Sequence, residues 1–258
     1  SPFALPAVSS SLGARWLPRL AELPQALHEM AYHSVNRLID YQDEAYAEDW
    51  WIRLLDAVDR DPDQENYSFS HEVGRHLALW MTFEDIPRVA QLKVRPEREA
   101  MIRSEVKATA DQPITLAEFF HPRIEEVAAL LPKKWGESLL KSDIARRWST
   151  RLLGPRVLRT DRISMQLIFR CLAALRRFRR STLGYAHERH MIDRWYGATL
   201  AAQGHDRSMA IAALGGLVKG YGETRHRTTS RLMHILDYLE RSPDSDACTI
   251  TSLYTAAM

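Results

Sequence analysis

A chain of 258 residues is long enough to bury the core of one large or two small domains, and its 45% apolar and 26% charged residues are ordinary for a soluble globular protein. No apolar stretch approaches the ~20 residues of a membrane helix. Two cysteines, Cys171 and Cys248, exclude a disulfide framework, and two thiols cannot hold a four-cysteine iron–sulfur cluster or structural zinc site.

The net charge of +2 conceals a polarity. Between Glu22 and Glu72 there are 13 acidic and 3 basic residues, whereas between Lys133 and Arg180 there are 14 basic and 3 acidic ones. Three readings follow: the regions face each other, each meets an outside partner of opposite charge, or both are solvated faces that partly neutralise one another. The opening "SPFALPAVSSSLGARW" lacks a signal peptide's basic start and long apolar core, and it lacks an initiator Met. We therefore expect a fragment or processed chain in the reducing cytoplasm, consistent with the cysteine count.

In chain order, residues 1–23 read as a linker. Apolar residues at Leu27, Met30, Ala31, Val35, Leu38, Ile39, Ala45, Tyr46, Trp50, Leu54 and Val58 recur at three- and four-residue steps. They predict one long amphipathic helix from Pro24 to Val58, ended by "DRDPDQEN". A second helix runs from Ser70 through "HEVGRHLALWMTFED", and Pro87 either kinks it or starts a new one. "TLAEFF" carries a capping-box pattern, Thr115 with Glu118, and His121-Pro122 reads as a helix restart.

Asp161 then caps "RISMQLIFRCLAALRRF". Here Ile163, Leu167, Ile168, Cys171, Leu172, Leu175 and Phe178 form a stripe predicted to face inward, with Arg176, Arg177, Arg179 and Arg180 mainly on other faces. The next helix, "YAHERHMIDRWYGATLAAQ", turns Tyr185, Met191, Ile192, Trp195 and Leu200 inward. Asp206 starts "RSMAIAALGGLV", and a last helix carries Leu232, Ile235, Leu236 and Leu239. Residues 242–258 read as a polar tail. With no sustained alternation to make a sheet, the expected fold is all-α, a bundle of about seven to nine helices forming one domain over 24–241.

"LGGLVKGYGETRHR" concentrates four glycines, Gly215, Gly216, Gly220 and Gly222. A dinucleotide fingerprint needs a preceding strand and a P-loop needs Gly-Lys-Ser/Thr, and neither condition holds. The segment reads as a helix stop and joint. The amides of the helix that follows, with Arg225, Arg227 and Arg231, remain a candidate anion site.

Two Glu-x-x-His spacings, Glu118–His121 and Glu223–His226, have the form used by helical di-metal carboxylate sites. His121 precedes a proline, which biases it away from helical geometry. "HERH" at His187–His190 has its histidines three apart, not the four of a zinc hydrolase, and reads as surface. "RRFRR", Arg176 to Arg180, offers phosphate attraction without a reading motif.

Four segments carry a family resemblance. "SVNRLIDYQDEAYAEDW" resembles the opening of the C-terminal helical region of indolepyruvate and related 2-oxoacid ferredoxin oxidoreductases. "WMTFEDIPRVAQL" is similar to that region's Met-x-x-Glu-Asp segment, "LRRFRRSTLGYAHERHMIDRWY" to its basic helix, Gly-Tyr turn and charged helix, and "GLVKGYGETRHR" to its final glycine turn. The matches run in order from Ser34 to Leu239 and depart at Pro87 and "DPDQENYSFS".

The resemblance implies a helical accessory domain that supports assembly or partner docking, with no catalytic, cofactor-binding or metal residues of its own. Thiamine diphosphate and iron–sulfur clusters are then expected elsewhere in the enzyme, and the oxidised substrate is an aryl 2-oxoacid such as indolepyruvate. Expected partners are the catalytic domain or subunit and ferredoxin, with Arg176, Arg177, Arg179 and Arg180 docking an acidic surface. The alternatives are a basic-surface module for nucleic acid or an acidic protein, and a free-standing helical metalloenzyme.

Overall fold

A computed structural model describes residues 3–6, 11–109, 112, 114–120, 123–143, 147, 156–159, 162–220 and 222–258. The fold is all-α. Among the described residues there are thirteen α-helices, more than the seven to nine expected, with three 3₁₀ segments and one short antiparallel ribbon. No helix there is long and apolar enough to cross a membrane. The chain divides into two compact units, Ser1–Phe83 with Arg189–Met258 and Glu84–Glu188.

The first unit opens with α1 (Ser11–Ala21), which buries Trp16 and Leu20, so these residues are core and not linker. Pro18 inside the helix disguises it in sequence. The long helix expected from Pro24 to Val58 is three pieces: a 3₁₀ turn Gln25–Leu27, α2 (His28–Tyr41) and α3 (Glu44–Asp59). The chain leaves α2 at Gln42, and Asp43 then caps α3 by accepting the Tyr46 N–H at 2.9 Å. Buried residues flank the break on both sides, Leu38 and Tyr41 before it, Tyr46 and Trp50 after it, so the apolar period reads straight through.

The acidic loop that follows is built from caps. Asp61 is buried and accepts Ser70 N–H at 2.8 Å, Ser70 Oγ at 2.7 Å and Asp63 N–H at 3.0 Å. It thereby satisfies an orphan donor in the first turn of α4 (Ser68–Met81). Helix α4 is the centre of this unit and is buried almost all round, through Phe69, Val73, Leu77, Ala78, Trp80 and Met81.

Three buried indoles hold the packing. Trp50 Nε1 donates to the Gly74 carbonyl at 2.9 Å, Trp80 Nε1 to Gly215 at 3.1 Å, and Trp195 Nε1 to Ile211 at 3.0 Å. Trp80 and Trp195 are in ring contact with centroids 4.9 Å apart. Small residues permit this approach: a Cβ on Gly74 would meet Met30 Cε at 2.7 Å, and one on Gly215 would meet the His76 ring at 2.5 Å. The glycines of "LGGLVKGYG" are therefore a joint, with Gly215 and Gly216 in a 3₁₀ turn (Leu214–Leu217) laid on His76, and Gly220 at φ +77°.

The unit also takes most of α10 (Leu183–Ala201), α11 (His205–Ala213), α12 (Gly222–Arg241) and α13 (Ala247–Ala257). Met191, Ile192 and Trp195 face inward on α10, and Leu232, Ile235, Leu236 and Leu239 on α12. Residues 242–258 are no loose tail. Asp246 caps α13, Ile250 is fully buried, and Thr251, Ser252 and Thr255 return their hydroxyls to carbonyls four residues back.

In the second unit Pro87 starts a helix rather than kinking one. Asp85 caps α5 (Ile86–Lys93), accepting the Arg88 N–H at 2.8 Å. Next comes α6 (Pro96–Glu105). "TLAEFF" is not a helix start: Ala117–Phe120 is a strand (β1) paired antiparallel with Arg156–Arg159 (β2), Phe119 opposite Val157. Aromatic and branched residues favour that extended pairing over a helix turn. His121, Pro122 and Asp161 lie outside the described residues. Helices α7 (Ile124–Leu130) and α8 (Lys133–Lys141) follow, then α9 (Ile163–Ala174) and a 3₁₀ segment, Leu175–Ser181, which leads into α10.

The glycine contacts set a stability contrast. Gly215→Ala should destabilise the protein by about 1–3 kcal/mol through the clash with His76. Gly197→Ala, inside α10 with nothing within 4 Å of the added Cβ, should stabilise it by about 0.5–1 kcal/mol. Denaturant midpoints of the two variants against the parent check both signs.

Candidate functional site

The arginine cluster sits on the 3₁₀ segment, and this changes its phase. At three residues per turn, residues three apart fall on one line. Arg176 and Arg179 share a half-buried to buried line, Arg177 and Arg180 share an exposed one, and Leu175 and Phe178 share a third that is also exposed. Arg179 is 2% exposed while Leu175 is 38% and Phe178 66% exposed. The expected orientation of the segment is thus reversed at its most important positions.

What Arg179 meets explains its burial. Its Nε donates to Asp85 Oδ2 at 2.6 Å and its Nη2 to Oδ1 at 3.0 Å, a forked ion pair. The same carboxylate caps α5, so one acid neutralises a buried guanidinium and closes a helix start. Arg179 is structural and does not belong to a docking set.

Upstream, α9 is also turned over. Its packed side carries buried Phe169 with half-buried Met165, Gln166, Leu172 and Ala173, a spacing of three and four. Ile163, Leu167, Ile168 and Cys171 face away and are exposed. Helix α9 is apolar on both sides, so hydrophobic periodicity alone does not define which face is inward.

The other candidate residues separate. Arg225 lies with its guanidinium 5.6 Å from the Phe83 ring centroid, Arg231 Nη1 donates to the Ala257 carbonyl at 2.6 Å at the end of α13, and Arg227 is exposed. Positions 225 and 227 lie on nearly opposite sides of α12. The three arginines therefore do not converge on one anion. Glu223 and His226 are exposed on α12, and among the described residues no group of three or more His, Cys, Asp or Glu side chains is placed to hold a metal. A cleft of about 330 Å³ includes Arg60, Phe69, Thr199 and His205 in its lining and gathers no acid–base pair.

Part of the acidic Glu22–Glu72 region is paired inside the first unit. Arg15 pairs with Glu44, and Arg19 forks onto Glu48 at 2.6 and 2.8 Å while lying over Trp16 and Trp51. A lattice absent from the sequence reading joins α3 to α10. Arg189 grips both oxygens of Asp49, Arg53 binds Asp193 at 2.6 Å, and Tyr196 donates to the Arg53 carbonyl at 2.9 Å and to Asp56 at 3.1 Å. Burial opposes the charge of Asp49, but Arg189 and then Arg53 outweigh it and hold the carboxyl below its ordinary range. Burial, reinforced by the Asp56 charge, pushes the Tyr196 phenol up.

Two outcomes are expected. Arg179→Ala should cost about 3–5 kcal/mol, because it strands Asp85 and breaks a buried pair, whereas Arg177→Ala should stay within about 0.5 kcal/mol; urea denaturation of both variants measures the difference. The second concerns acid. Glu72 accepts from His76 at 2.8 Å and Arg75 at 3.0 Å, and the His76 hydrogen bond leads in holding it at about 2, against 4.5 for an ordinary glutamate. Its contribution to stability is present above the ordinary value, declines as pH falls from there, and is gone below about 2. Glu72→Gln should flatten that part of the stability–pH curve, measured by denaturation from pH 5 downward.

Residues 27–238 match the model of a family of unknown function, DUF6537. No match was found among curated proteins or among solved structures. Since that match spans most of the chain, the protein belongs to the DUF6537 family.

Proposed function

We propose that this chain is the helical accessory domain of an indolepyruvate or related 2-oxoacid oxidoreductase, serving assembly and partner docking rather than chemistry. The observation that carries the docking role is the segment from Arg162 to Thr182, which contains six arginines and no acidic residue. One of these, Arg179, is committed to Asp85, while Arg162, Arg170, Arg177 and Arg180 are exposed. The ordered likeness to the oxidoreductase helical region supplies the identity of the assembly. Thiamine diphosphate and iron–sulfur clusters belong to its other parts, and no residue of this chain is assigned to hold them. The catalytic chain and ferredoxin, an acidic electron acceptor, are the partners in this reading.

The same exposed arginines favour a second reading, a basic-surface module that binds nucleic acid. Binding of the oxidoreductase catalytic chain, ferredoxin and random duplex DNA, each measured across salt concentration, separates the two. In the accessory-domain reading, the double variant Arg177→Glu, Arg180→Glu slows association with a protein partner by about tenfold or more and leaves the fold intact. DNA retained at physiological salt, with a steep salt dependence and neither protein bound, overturns it.

A further inference from the structure

Helix α9 and its 3₁₀ extension present an exposed apolar face on the second unit. Ile163 is 89% exposed, Leu167 62%, Ile168 47% and Phe178 66%, and Cys171 lies exposed between them. Single exposed apolar residues are ordinary, but a continuous set along one element marks an interaction surface. The opposite side of α9 is already packed through Phe169.

We propose that this face docks into an apolar groove with an acidic rim on another protein. The proposal names the docking face of the accessory domain. It rests on that functional reading for the partner's identity and on the face itself for the partner's chemistry.

Three features select this occupant. First, exposed Arg162, Arg170 and Arg177 border the face, and no Asp or Glu occurs from Arg162 to Thr182, so the complementary rim is negative. Second, a second copy of the chain is disfavoured, because laying this face on itself would set arginines against arginines. Third, most of the stripe is aliphatic, with Ile163, Leu167 and Ile168 at helical spacing. Such side chains form the ridges that fill a groove between protein helices. Nucleic acid would reward the arginines and the Phe178 ring by phosphate contact and stacking, and would leave the aliphatic ridge in water.

Cys171 provides the test, since Cys248 is the only other thiol in the chain. In a Cys248→Ser protein, maleimide modification of Cys171 is timed alone and with three probes. These are a helical peptide of leucine and glutamate with one apolar face, phosphatidylglycerol vesicles, and oligo-thymidylate. The peptide at about ten times its Kd should slow modification about tenfold. Leu167→Asp, or Ile163→Asp should the first variant disturb folding, should abolish peptide binding with an unchanged circular dichroism spectrum.

An unchanged modification rate with the peptide overturns the proposal, as does protection by vesicles or oligo-thymidylate in place of the peptide. Peptide protection without binding of the oxidoreductase catalytic chain keeps this face and removes the functional reading. A bound catalytic chain that leaves Cys171 fully reactive removes this face and keeps that reading.

Discussion

The hydrogen bond from the Trp80 indole to the Gly215 carbonyl ties the central helix of the first unit to a turn 135 residues later in the chain. Much of that unit is arranged so that this bond can form. The Leu214–Leu217 turn must lie flat on α4, which requires a glycine where it crosses His76. Trp195 then packs against Trp80 and sends its own N–H to Ile211, so α10 and α11 are fixed relative to the same pair of rings. Trp50, Trp80 and Trp195 each bury a large apolar surface here, and each of their N–H groups, which would otherwise oppose burial, is matched to a carbonyl. A helix buried almost all round needs this kind of satisfaction, since a buried N–H without a partner is costly.

The charges follow a different logic. In the first unit the acidic helix α3 is met by arginines from α1 and α10, partly exposed and often forked, which orient helices more than they stabilise them. In the second unit, Arg179 and Asp85 form a buried pair with a helix cap attached. Removing water from a guanidinium is costly, and the fork plus the cap explain why the site tolerates it. Of the other arginines of that segment, Arg162, Arg170, Arg177 and Arg180 are exposed and Arg176 is half-buried.

Legibility in the sequence tracks contrast between faces. Helices α2, α3, α10 and α12 have an apolar side and a polar side, and most of the residues the periodicity names on them are buried or half-buried, with Ala45 of α3 exposed and Ala47, Trp51 and Ala57 buried without being named. Helix α9 lacks that contrast, and its inward face is set by packing on α5, which no local pattern reports. The reversal at Arg179 arises because a 3₁₀ segment follows a helix without any glycine or proline to mark the change of period. A helix start at Pro87 was one of two readings the sequence left open, but the pairing of its cap Asp85 with Arg179 depends on a residue 94 positions away. The Asp49–Arg189 contact, 140 positions apart, was equally out of reach of local spacing. The small elements α1 and α13 and the four-residue strands escape because proline, hydroxyl-rich composition and brevity mask them.

The placement of the second unit bears on how the chain acquires its structure during synthesis. Residues Glu84–Glu188 lie between the two halves of the first unit in sequence. Helix α4 therefore emerges with its nearer partners, α2 and α3, already made, while the surface destined for Trp195 and Gly215 has nothing to cover it. More than a hundred residues must follow before that surface closes, and non-local closure of this kind is slow. During that interval the nascent chain presents an aromatic, uncharged flank of the sort that recruits chaperones or sticks to neighbouring chains. Translation speed across the inserted segment thus becomes part of the folding problem of a helix completed long before it.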